Sequence, residues 1–189
     1  SFKLGLRLAE PDRWYAYQAA RLLHSRDKDG SVIATLAKQI QSRQDDPSIP
    51  PVASFGGHEN WTPEAIAYRA FLEKLFVHQM EMRASFEAFE PSLFSFLLTG
   101  VLPSARSAAV HTLGTFAERV PDTLKPIEES IADESPRVRL EAIVAAAKVK
   151  SPDAIRVALR VLDMPMDSFL DRALWLAVHA TAPQWKPLL

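Results

Sequence analysis

Apolar residues recur at every third or fourth position along most of this chain, the spacing that puts them on one face of a helix. Residues 12 to 24 place Trp14, Tyr17, Ala20 or Arg21, and His24 in that rhythm, with Leu22 and Leu23 widening the stripe. Asp29-Gly30-Ser31 reads as a turn ending in a helix N-cap, and Val32, Leu36 and Ile40 continue at intervals of four. These two segments are expected to form a first antiparallel pair. Residues 44 to 60 break the rhythm with three prolines and Gly56-Gly57, a long irregular stretch. Thr62 then reads as an N-cap with Pro63 at the first helical position, followed on one face by Ile66, Ala70, Leu72 or Glu73, and Phe76 or Val77.

Further on, Met80 to Leu102 is the most aromatic part, with Phe86, Phe89, Phe94 and Phe96. Pro91 interrupts it, Ser92 to Thr99 read as a helix, and Gly100 stops that helix. Three pairs are then predicted: 104–119 with 122–132, 136–149 with 152–162, and 167–181 with a truncated partner from Pro183. No segment alternates as a strand does. The pattern predicts an all-α protein.

Those late pairs share one pattern. Pro103-Ser104-Ala105-Arg106-Ser107-Ala108-Ala109 is followed by Pro136-Arg137-Val138-Arg139-Leu140-Glu141-Ala142 and by Asp167-Ser168-Phe169-Leu170-Asp171-Arg172-Ala173. Aligning Ala109, Ala142 and Ala173 gives steps of 33 and 31 residues. Glu10 to Ala19 is a weaker copy. Self-similarity at this period marks a solenoid, in which no helix pair buries its apolar face alone. The expectation is a right-handed α-solenoid of about four to five antiparallel helix pairs, forming a single domain over 1–189 with 44–60 as an insertion.

The segment from Asp133 to Ala142 resembles a HEAT repeat, a family that couples an Asp in the turn between repeats to a Val-Arg step in the next helix. The resemblance implies that Asp133 and Arg139 bond between successive repeats and set their stacking. The copy at 103–109 keeps Arg106 but has Val101 or Leu102 where an acid belongs, and the copy at 164–173 has Leu170 in the Arg position. More narrowly, 135–188 is similar to the HEAT-like segment of large exported proteins of planctomycetes and related bacteria. There such repeats link a dehydrogenase-like propeller to a c-type cytochrome domain. That resemblance implies export, although no Cys-x-x-Cys-His haem motif stands here.

Composition changes this picture little. Of 189 residues, 48% are hydrophobic and 24% charged, and the net charge of −1 gives no general attraction to nucleic acid or anionic membrane. Cysteine is absent, which excludes disulfides, thiolate catalysis and thiolate zinc sites within this segment. No apolar run approaches the roughly 20 residues that span a bilayer. The apolar ends are expected of a piece cut from a longer chain.

Candidate chemistry is sparse. His24, His58, His78, His111 and His179 contain no i, i+4 pair, so a metal would need sequence-distant ligands. Gly56-Gly57 lacks phosphate-loop spacing, no nucleophile elbow occurs, and Asp45-Asp46 reads as a solvated turn. No catalytic residue, metal or cofactor is expected. Arg137, Arg139, Lys148, Lys150, Arg156 and Arg160 are basic, but Glu128, Glu129, Asp133, Glu134, Glu141 and Asp153 interleave with them, so a mixed-charge surface is expected rather than a nucleic-acid site. Most aromatics, Trp175 and Trp185 included, are expected in the core. Phe55, His58 and Trp61, in or beside the 44–60 loop, are the candidate partner surface, with Asp133, Arg139 and Arg106 as candidate structural residues between repeats. The function expected is a noncatalytic scaffold whose partners are proteins, either neighbouring domains or another subunit. The redox-module reading and a DNA-binding solenoid stand behind it.

Overall fold

The computed structural model describes residues 61–85, 89, 91–120 and 122–188, together with 18, 19, 21, 22, 25, 26, 31 and 35. Those isolated early positions are helical. The rest of the expected first pair, the copy at 10–19 and the loop with Phe55 and His58 lie outside the described residues. No strand occurs among the described residues, and the protein is all-α there. Its contacts group into two compact units, Ser1–Ala105 and Arg106–Leu189.

In the first unit, α1 (Pro63–Ser85) opens as its sequence predicts, with the Ala65 amide donating to Thr62 Oγ1 at 3.2 Å. Leu72, Leu75, Phe76 and Met80 are buried, whereas Ile66, expected on that face, is 40% exposed. The true face is set one position further round, where Ala65, Arg69, Leu72 and Phe76 follow each other at helical spacing. Pro91 starts α2 (Pro91–Leu98), which buries Leu93, Phe94 and Leu97 and packs against α1. Phe89 stacks on Phe94 with ring centroids 4.5 Å apart, and the Phe76 and Phe96 rings meet edge to face at 4.8 Å.

Helix α3 (Pro103–Thr115) runs from the end of the first unit into the second. There follow α4 (Leu124–Ile131), α5 (Pro136–Ala146), α6 (Asp153–Leu159) with a 3-10 turn at Arg160–Asp163, and α7 (Ser168–Ala180). A short α8 (Ala182–Trp185) and a 3-10 turn at Lys186–Leu188 close the second unit. Asp122 enters α4 at φ 58°, a left-handed turn position that Asp tolerates better than most residues. Pro136 fills the first position of α5, where a missing N–H leaves nothing unpaired. Asp167 caps α7, its carboxylate accepting from the amides of Phe169 at 2.9 Å and Leu170 at 2.8 Å.

Packing in the second unit follows from small residues. Ala109, Ala142, Ala145 and Ala146 are almost wholly buried. A Cβ added at Gly114 would lie 2.9 Å from both Cα and Cβ of Ala145, so α3 and α5 approach through a position that holds only hydrogen. Helix α5 packs against α4, α6 and α7. The repeat register also differs from the one expected. First helices start at Pro103, Pro136 and Ser168, steps of 33 and then 32 residues. Leu170 therefore occupies the place of buried Val138 rather than that of Arg139, and Leu174, not Ala173, takes the place of Ala142.

Candidate functional site

Buried polar side chains gather where α3 and α5 begin. In the second unit, the Arg106 guanidinium grips the Asp133 carboxylate in the turn before α5, with Nε to Oδ2 at 2.8 Å and Nη2 to Oδ1 at 3.0 Å. Glu134 accepts a longer bond from the same Nη2 at 3.3 Å. Asp133 Oδ1 also accepts from the Ser135 amide at 2.8 Å, so one carboxylate joins the arginine of α3 to the first backbone donors of α5. Burial pulls the Arg106 pKa down, but the hydrogen bonds and charges of Asp133 and Glu134 outweigh it and hold the pKa above its ordinary value.

Arg139 does something different from what the family pattern implies. Among the described residues its guanidinium meets no carboxylate; it donates to the backbone carbonyls of Asp133 at 2.8 Å, Glu134 at 3.0 Å and Pro165 at 2.8 Å. Arg139 is 3% exposed, and its contacts tie the turn behind α5 to the turn ahead of α7. Asp133 and Arg139 thus meet in one turn through the Asp133 carbonyl, while the Asp133 carboxylate belongs to Arg106.

Sequence reasoning missed the counterpart in the first unit. Arg69 and Glu73, one helical turn apart on α1, are 1% and 0% exposed. Glu73 Oε1 accepts from Arg69 Nε at 2.7 Å and from the Val101 amide at 2.7 Å; Oε2 accepts from the Leu102 amide at 2.9 Å. Arg69 also donates to the Phe96 carbonyl and lies 3.5 Å from the Phe96 ring centroid. Burial lowers the Arg69 pKa, and Glu73 opposes that shift. The turn at 101–102 has no acid of its own, and Glu73 supplies one from 28 residues earlier. Gly100 leaves room for it: a Cβ there would lie 2.8 Å from the Glu73 carboxyl carbon. A buried i, i+4 Arg–Glu pair, 37 residues ahead of Arg106, was the available signal.

Three of the six basic residues between 137 and 160 pair with carboxylates. Lys150 meets Glu118 at 2.8 Å, Arg160 meets Glu128, and Arg156 meets Asp153 at 3.3 Å. His111 Nδ1 lies 2.9 Å from Glu141 on the next first helix. Trp61 is half-buried at the entry to α1. Among the described residues, no group of three His, Asp or Glu side chains converges as a metal site, and no helix is long and apolar enough to cross a membrane.

Aromatics depart from expectation at the end of the second unit. Trp175 is 50% exposed rather than in the core, beside Phe169 at 72% and Leu176 at 49%. The Arg172 guanidinium stands 5.0 Å from the Trp175 ring centroid, and the His179 ring meets Trp175 tilted by 34° with centroids 4.0 Å apart. Trp185, half-buried, donates from Nε1 to the Val178 carbonyl at 3.1 Å.

Residues 90–177 match the family model described as HEAT repeats. The matched span runs from α2 into α7 and includes Arg106, Asp133 and Arg139. No curated protein and no solved structure matches the chain.

Proposed function

We propose that this chain is a noncatalytic helical-repeat scaffold for contacts between proteins or between domains, built as a right-handed α-solenoid of antiparallel helix pairs. The observation that carries the reading is the HEAT-repeat match over 90–177, on a framework whose buried polar side chains are spent on joining helices. Arg106, Asp133 and Arg139 act as the structural residues between repeats: their hydrogen-bonding groups point into turns, not into a cleft. Rigid helices with variable exposed side chains are how such arrays recognise partners. Paired Lys150, Arg156 and Arg160 support a mixed-charge surface and favour protein over nucleic acid as the partner. Trp61 with Phe55 and His58 is retained as a partner surface on sequence grounds. The narrower likeness to exported dehydrogenase–cytochrome proteins stands on residues alone; a Cys-x-x-Cys-His in the same reading frame would support it.

The test is site-specific photo-crosslinking in the native host from Lys125, Glu129 and Arg156, exposed positions on the second helices α4 and α6. The scaffold reading expects one protein, or one neighbouring domain, to recur at all three positions and to be lost on charge reversal. Diffuse adducts at every position, or salt-dependent binding of duplex DNA by the purified chain, would overturn it.

A further inference from the structure

Three turns lead into first helices, and the third is joined unlike the other two. Counting back three residues from each helix start gives Gly100, Asp133 and Pro165. At Gly100 the place of a side chain is taken by the Glu73 carboxylate, 2.8 Å from where a Cβ would lie. At Asp133 the carboxylate is the residue's own, and Arg106 grips both of its oxygens. Position 165 brings no anion. Arg139, placed in α5 as Arg106 is in α3, meets the Pro165 carbonyl through Nη2 at 2.8 Å. Its Nε, the atom with which Arg106 takes a carboxylate oxygen, is buried and has no partner among the described residues. Asp167, two residues on, caps α7: it accepts the Phe169 and Leu170 amides and meets no arginine among the described residues.

We propose that the 163–167 turn is a hinge, about which α7 and α8 swing as one body against α5 and α6. After the 3-10 turn at Arg160–Asp163, Met164 is extended at φ −116° and ψ 159°, and Asp167 at φ −125° and ψ 174°. A 3-10 turn running into extended residues is where a few backbone torsions absorb a rotation. Pro165 has no amide to donate, and among the described residues the Arg139 bond is the one hydrogen bond between 164–166 and α5. Helix α7 buries Leu170, Leu174 and Ala177 as it packs against α5 and α6. Apolar burial is non-directional, whereas a two-bond contact between arginine and carboxylate fixes an angle. Trp185 ties α8 to the Val178 carbonyl of α7, so these two helices move together. The far end is held by neutral bonds: the Gln184 side-chain amide, turned to face its acceptors, reaches the Ser151 and Val149 carbonyls at 3.0 and 3.3 Å. The hinge varies the angle at which α7 and α8 stand beside α5 and α6. It holds without the scaffold reading, since it concerns how parts of the second unit are joined, whatever they bind.

The test is double electron–electron resonance on the full 189-residue chain, whose lack of cysteine lets each introduced pair carry the only spin labels. Thr115→Cys with Arg156→Cys spans the joint before α5, and Glu129→Cys with Ala180→Cys spans the joint before α7; all four positions are exposed. The otherwise wild-type chain gives a distance distribution about twice as wide across the second joint as across the first. Pro165→Asp, which offers a carboxylate to Arg139 Nε, narrows the second distribution to the width of the first, and Pro165→Ala does not. Pro165 is exposed, so both variants keep the fold, checked by circular dichroism. Equal widths without the Pro165 substitutions, a second distribution that Pro165→Asp leaves wide, or one that Pro165→Ala narrows as far, each overturns the proposal. Fraying of the chain end gives the second of these outcomes, because it does not respond to a charge at residue 165.

Discussion

Two turns in this protein solve one problem with different residues. Before α5, the anion belongs to the turn: Asp133 receives the Ser135 amide and is backed by Arg106 from α3. Before α3, the turn supplies no anion, and Glu73 from α1 receives the Val101 and Leu102 amides, backed by Arg69 from its own helix. In both, a carboxylate satisfies backbone donors at the start of a first helix, where they have no intrahelical partner. In both, an arginine holds that carboxylate. The comparison teaches that the physical requirement is an anion at the helix start with a cation behind it. The consensus position is one way to meet that requirement, and a side chain from elsewhere is another.

The pairs differ in burial, and that ranks the consequences. Arg69→Ala leaves Glu73 charged and unpartnered by its arginine in a site with no solvent exposure, so chemical denaturation should register a loss of about 3–5 kcal/mol. Arg139→Ala removes three charge-assisted bonds to carbonyls but strands no buried ion; a loss of about 2–3 kcal/mol is expected, measured by the same titration. Arg139→Lys should recover less than half of that, since an ammonium does not span the Asp133, Glu134 and Pro165 oxygens as the planar fork does.

Backbone approach gives the next tier. Gly100→Ala should imitate a partial loss of Glu73, because the new Cβ meets its carboxylate; a lower melting temperature with faster exchange of the Val101 and Leu102 amides is expected. Gly114→Ala sets a gain of up to about 1 kcal/mol in helix propensity against about 1–3 kcal/mol of overpacking on Ala145, so a net loss is expected. Ala142→Leu, at a site with no exposure, should cost about 1–3 kcal/mol by the same overpacking. At the bottom, Lys150→Ala breaks a solvent-exposed pair with Glu118 and should leave the denaturation midpoint unchanged within error.

How much of this was legible follows the same division. Local signals marked some helix starts, Thr62 and Pro63 for α1 and Pro136 for α5, whereas Pro91, read as a break before a helix from Ser92, itself opens α2. Arg106, Asp133 and Arg139 were singled out, because the family pattern names positions. Their actual partners were not, since a spacing does not say whether a guanidinium meets a carboxylate or a carbonyl. Glu73 was passed over because its target amides are 28 and 29 residues away, and the pattern was searched for an acid within the turn. The register of the last copy slipped by one residue because Ala173 looks like the small residue of the motif. Burial instead favours Leu174, whose neighbours on the core face are Leu170 and Ala177. Trp175 was placed inside by its size and lies half outside by its position on α7.

The most direct test is a pair of double-mutant cycles, Arg69→Met with Glu73→Gln and Arg106→Met with Asp133→Asn, read by chemical denaturation. If both carboxylates do the same work, each cycle gives a coupling above about 1 kcal/mol, with the Arg69–Glu73 value the larger because that pair is wholly buried. Couplings below about 0.5 kcal/mol in both cycles, the range of solvent-exposed pairs, would contradict the account.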